Sequence, residues 1–158
     1  MPEKLFLLAE NEGIGCAFFD LPYPLLGLYD YRHNEIPMIL LDSSLKADRK
    51  LLRCVLSEEI GHHFTTSQNI MVFSRKDNYV YMKYEKLALW WATKYLMPLK
   101  ELIKVINGGF FLTHEIAEYF EVTERFAGIS LKFYMEKEKN ALLKGLKKLP
   151  MELRSEMP

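Results

Sequence analysis

The sequence predicts an α+β domain: a small antiparallel sheet from roughly the first 40 residues, a helix packed beside it, and a mostly helical second half. Two observations carry this. Short runs rich in aromatic and aliphatic residues, broken by Pro, Asn and Gly, fill residues 15–41, and links that short join antiparallel strands. From residue 42 onward apolar residues recur at helical spacing instead.

Taken in order, Pro2 to Asn11 reads as a helix, since Pro is accepted in a first turn, and Gly13 ends it. Gly15 to Leu21 and Leu25 to Tyr31 read as strands divided by Pro22-Tyr23-Pro24. Arg32-His33-Asn34-Glu35 is a polar turn, with His33 solvated, and Ile36 to Leu41 is the next strand. Asp42-Ser43-Ser44 offers N-cap chemistry to a helix through Leu51, Leu52, Val55, Leu56 and Ile60. Thr65 to Tyr81 has weak periodicity and reads as a loop across or beside a site. Leu87, Trp90, Trp91, Tyr95 and Leu96 then follow helical spacing up to Pro98.

Leu99 to Ile106 forms another helix, closed by Asn107-Gly108-Gly109, and Thr113 and Thr123 each start one more. Glu136 to Pro158 is charged and amphipathic, with Leu142, Leu143, Leu146 and Leu149 on one stripe. No repeat or linker divides the chain, so residues 1–158 are expected to be one domain. Within it, 1–45 would hold a helix and the sheet, 46–98 the ligand helices, and 99–158 a C-terminal helical region.

Composition narrows the function classes. Apolar residues make up 49%, enough for a sizeable core. Lys+Arg and Asp+Glu both number 21, so no net positive field recruits nucleic acid, and nucleic-acid binding is not expected. Cys16 and Cys54 lack C-x-x-C spacing and read as thiols of a cytoplasmic protein. Glu3, Lys4, Glu10 and Glu12 interrupt the N-terminus as no signal peptide would allow. No apolar run approaches the ~20 residues of a membrane span.

The chemistry concentrates in Leu56-Ser57-Glu58-Glu59-Ile60-Gly61-His62-His63-Phe64. The zinc signature H-E-x-x-H places two His ligands on one helix face with a Glu as general base. Here Glu59 and His62 match, while Glu58 occupies the place of the first His. Carboxylate and imidazole are both ordinary zinc ligands, and the spacing still puts Glu58 and His62 on one face. A shift of one residue gives Glu59 and His63 the same spacing, so geometry alone leaves the register open. A Glu-x-x-x-His pair is common on solvated helix faces, so a third ligand is needed to give it meaning.

Glu85 offers one, in the first turn of a segment reading E-x-x-A-x-x-W-A-x-x-x-L-x-P. Together these segments resemble the ImmA/IrrE family of metallo-endopeptidases. Leu56 to Thr65 is similar to the family's L-A-H-E-L-G-H-H-F-T ligand helix, and Glu85 to Pro98 to the helix with its third ligand. Leu112 to Glu124 is similar to its C-terminal helix-turn-helix. The resemblance implies Glu59 as general base, His62 and Glu85 as zinc ligands, and Glu58 at the place of the remaining ligand. Two carboxylates around the metal would slow turnover or shift the preference towards Mn or Fe. The resemblance also implies a protein substrate, a cognate repressor-type transcription regulator of a mobile element such as a prophage. The alternative is a catalytically degenerate member that binds a regulatory protein without turnover.

Blander roles are expected for several residues nearby. His114-Glu115-Ile116-Ala117-Glu118 begins like the zinc motif but ends in Glu118, and reads as a surface helix start. His63 reads as packed or hydrogen-bonded behind the site, and Trp90 and Trp91 as core or groove wall. The second helix of the helix-turn-helix opens with Glu124 and Arg125 after Glu121, which makes a poor partner for phosphate.

Overall fold

The computed structural model describes residues 2–32, 35–65 and 78–147. It confirms the α+β class and contains a three-stranded sheet and, among the described residues, seven α-helices. The chain divides into two compact units, Met1–Ala92 and Thr93–Pro158. Expectations for His33 and Leu149 fall outside the described residues.

In the first unit, helix α1 (Pro2–Asn11) is followed by β1 (Gly15–Phe19), β2 (Gly27–Asp30) and β3 (Met38–Asp42). The sheet is mixed, whereas an antiparallel one was expected from the sequence. Its order is β1-β3-β2, with β3 parallel to β1 and antiparallel to β2. The physical reason is placement. The proline-bearing link between β1 and β2 is no tight hairpin, so the two strands do not pair, and β3 enters between them. The most apolar strand, Met38-Ile39-Leu40-Leu41, thereby takes the central position, and Ile39 and Leu41 are fully buried.

Asp42 caps as expected, but what it caps is a 3₁₀ turn, Ser43–Ala47, through its side chain and the Ser44 N–H. The long helix starts only afterwards. Helix α2 (Arg49–Thr65) opens with the Asp48 carboxylate accepting the Leu51 N–H at 2.9 Å. Leu52, Leu56 and Ile60 of α2 join Leu5, Ala9 and Leu45 in the core. Helix α3 (Asn78–Leu96) begins earlier than its apolar spacing suggested, so residues 78–81 are helical; the rest of the expected loop, residues 66–77, lies outside the described residues.

Helices α2 and α3 approach at Gly61. A Cβ there would lie 2.4 Å from the Ala88 carbonyl oxygen and 3.1 Å from its Cα. Only glycine permits that contact.

In the second unit, α4 (Leu99–Asn107), α5 (Thr113–Phe120), α6 (Glu124–Lys137) and α7 (Lys139–Gly145) pack around Leu102, Ile116, Val122, Ala127, Tyr134 and Leu142. The Thr123 hydroxyl accepts the Phe126 N–H and starts α6, as its position indicated. Two buried polar contacts tie the bundle: Thr93 with Ser130 at 3.0 Å, and the Tyr134 hydroxyl donating to the Met97 carbonyl at 2.6 Å. Among the described residues, no helix is long and apolar enough to cross a membrane.

The Gly61 contact gives a test in which two effects compete. Ala is worth about 1 kcal/mol more than Gly in a helix interior. Overpacking costs about 1–3 kcal/mol, and here the obstructing atoms are backbone, which cannot rotate away. Gly61→Ala is therefore expected to lower the urea midpoint. A midpoint at or above that of the natural protein would show that the two helices are not held at this distance.

Candidate metal centre

The contact at Gly61 brings neighbouring side chains of the two helices together. His62 Nε2 of α2 lies 3.2 Å from Glu85 Oε1 of α3, so two of the residues singled out in the sequence meet. Burial by itself lowers the His62 pKa; the hydrogen bond that the ring donates to Glu85 and the charges of Glu59, Glu85 and Glu58 outweigh it and raise the value above normal. A metal ion bound at Nε2 would have to displace any proton held there.

Glu59 sits in a different setting. Helix α2 carries two adjoining stripes at i, i+4 spacing, one of Glu58 and His62, the other of Val55, Glu59 and His63. The second stripe runs under β2. A Cβ on Gly27 would lie 2.6 Å from Glu59 Oε1 and 2.7 Å from Val55 Cγ1, so the absent side chain makes room for the carboxyl. The Asp42 N–H bonds the Leu26 carbonyl at 2.8 Å, and the alternation of an antiparallel ladder then turns Tyr29 N–H away from β3. That N–H donates to the Glu59 carboxylate. Burial, opposed by His62 and reinforced by Glu58 and Glu85, pushes the Glu59 pKa up to about 7.

The same stripe settles the place of His63. Its Nδ1 is 2.9 Å from the Tyr29 hydroxyl, and the two rings meet edge to face with centroids 5.7 Å apart. Burial lowers the His63 pKa, and the direction of its hydrogen bond with the Tyr29 hydroxyl follows from the imidazole tautomer. His63 is thus hydrogen-bonded behind the site, as expected. Trp91 stacks on Phe64 at 5.0 Å and forms part of the adjoining wall.

Glu58 lies one turn before His62, and its charge acts on His62, Glu59 and Tyr81. It is not grouped with His62 and Glu85: among the described residues no three His, Cys, Asp or Glu side chains are arranged to hold a metal ion. Donor chemistry fits at two positions. Neighbouring ligands on a tetrahedral zinc, at about 2.0–2.1 Å each, are about 3.3 Å apart, close to the His62–Glu85 separation. His114 is exposed, and Glu115 accepts the N–H groups of Phe111 and Leu112, which makes it a helix cap.

The sequence reading missed Gly27 and Tyr29. They carried no signal, since their roles arise from the pairing of β2 against α2.

Glu59 makes the metal-free protein pH-sensitive. A carboxyl with a folded pKa near 7 and an unfolded value of 4.5 favours folding only while protonated. Its contribution is present below the unfolded value and is lost as pH rises towards 7. Glu59→Gln removes this loss. Relative to the natural protein, the variant is expected to gain about 2–3 kcal/mol between about pH 5 and about pH 8, read from urea midpoints in the presence of chelator. An offset that does not change with pH would contradict the buried, neutralised carboxyl.

Comparison with protein families places these residues in context. The model of a peptidase family, M78, described as the IrrE N-terminal-like domain, matches residues 9–132 and so spans the sheet, α2 and α3. No curated protein and no solved structure matches the chain. With the family model covering most of its length, the chain belongs to the M78 peptidases, the ImmA/IrrE family of metallopeptidases.

Proposed function

We propose that the chain is a zinc-dependent endopeptidase that cleaves a cognate regulatory protein of the repressor type, with Glu59 as its general base. The observation that supports this most is a buried carboxyl with a pKa of about 7 in the electrostatic field of a His–Glu pair set at ligand spacing. His62 and Glu85, joined by Glu58, would hold the ion, which when bound supplies Lewis-acid polarisation of a peptide carbonyl and of water. Mn or Fe would suit the oxygen-rich donor set as secondary choices.

The chain's own part is proton handling. Glu59 is a carboxyl buried beside His62, where it can exchange protons with a water in the site. Its carboxyl takes a proton from the attacking water and passes it to the departing amine. The Tyr29 N–H steadies the carboxyl in this exchange. Membership of a peptidase family supports a protein substrate, and we take that protein to be a cytoplasmic regulator of a mobile element.

A second reading has one observation in its favour. Glu58 stands where the first His ligand belongs and is not grouped with His62 and Glu85. On that reading the fold binds its regulatory protein without cutting it.

Glu58→His separates the two. It rebuilds H-E-x-x-H at an unchanged helical position, and zinc content and affinity are expected to rise. Cleavage of the co-expressed regulator, followed as loss of the full-length band, should increase. Adding Glu59→Gln should reduce cleavage about 10²–10⁴-fold while sparing zinc; His62→Ala should lose the metal. If Glu58→His holds no more zinc than the natural protein and cuts nothing, the binding reading is the correct one.

A further inference from the structure

Strand β2 meets helix α2 at two points. At the first, a Cβ on Gly27 would lie 2.6 Å from Glu59 Oε1, 2.9 Å from Glu59 Cγ and 2.7 Å from Val55 Cγ1. At the second, the Tyr29 hydroxyl and His63 Nδ1 are 2.9 Å apart, with the two rings edge to face. Gly27 and Tyr29 stand two apart on a strand and share a face, about 6.6 Å from one to the next. Glu59 and His63 stand four apart on a helix and share a face, about 6 Å apart along its axis. The strand therefore runs along the helix in the same direction, with its repeat matched to the helical turn.

Only one alignment suits Glu59. Of Gly27-Leu28-Tyr29-Asp30, Gly27 alone has no side chain. Sliding β2 by one residue would turn its opposite face towards α2. Sliding it by two would bring Leu25 or Tyr29 over the buried Glu59 side chain. Pairing with β3 fixes β2 within the sheet, and the Tyr29–His63 contact fixes it against the helix. A hydrogen bond is directional and short-ranged, so it holds an alignment that apolar contact alone leaves free to slide.

We propose that Tyr29 and His63 are a positioning pair, which holds β2 along α2 in the alignment that gives the Glu59 carboxyl its place beneath Gly27. Their service to a general base rests on the metallopeptidase reading; the alignment itself does not.

The test uses metal-free protein in chelator and needs no substrate. One Hα of Gly27 points where a Cβ would lie, so NMR of the natural protein should show its contact with the Glu59 Cγ protons. Tyr29→Phe and His63→Leu remove the hydrogen bond and are expected to lose that contact. His63→Asn is expected to keep it, because its amide can partner the hydroxyl from the place of Nδ1. Urea midpoints give a second readout. Gly27→Ala drives a methyl group against Glu59 and Val55, and its loss of midpoint should be smaller in the Tyr29→Phe background, where β2 can yield. A contact that survives in Tyr29→Phe, or midpoint losses that simply add, overturns the pair's positioning role. Loss of the contact in His63→Asn also overturns it, by assigning the effect to the imidazole ring. Each of these failures leaves the metallopeptidase reading intact, whereas failure of Glu58→His to bind zinc or cut overturns that reading and leaves the alignment.

Discussion

The candidate centre depends on how closely α2 and α3 approach one another. At Gly61 the α2 backbone lies against the Ala88 backbone of α3, at a distance that leaves no room for a Cβ. His62, the next residue, is carried far enough across to reach Glu85, which lies almost one turn before Ala88. A side chain at position 61 would push the helices apart by more than a hydrogen bond can stretch. The signature spacing on α2 matters only because this contact supplies a second helix to complete it.

A second constraint is electrostatic. Three carboxylates, Glu58, Glu59 and Glu85, act on the one imidazole of His62. Such a cluster is tolerable in two ways: a carboxyl gives up its charge, or a cation joins the group. Glu59, buried beneath β2, is pushed towards its neutral form, and the surrounding carboxylates raise the His62 pKa. A divalent ion would relieve the same repulsion and draw the Glu59 pKa back down.

Much of this was legible in the sequence where the determining forces are local. Pro2, Gly13, Pro98 and Thr123 mark helix ends through their own backbone chemistry, and the helices lie where those residues place them. Pairing of His62 with Glu85 was legible too, from two segments each carrying half of the site. What could not be read depends on contacts distant in sequence. The parallel pairing of β1 with β3 follows from the central place of the strand that buries most, and short links alone suggested an antiparallel sheet. The roles of Gly27 and Tyr29 follow from laying β2 along one stripe of α2, and nothing in Gly-Leu-Tyr-Asp announces that. Glu58 illustrates a different limit, since its spacing is that of a ligand while among the described residues it is not grouped with His62 and Glu85.

The central claim is that the α2–α3 contact, and not the stripe beneath β2, provides the metal site. Anomalous diffraction at the zinc absorption edge, from crystals grown with zinc, tests it most directly. The account requires a single strong peak touching both His62 Nε2 and the Glu85 carboxylate. An empty map at that point, or a peak between Glu59 and His63, would contradict it.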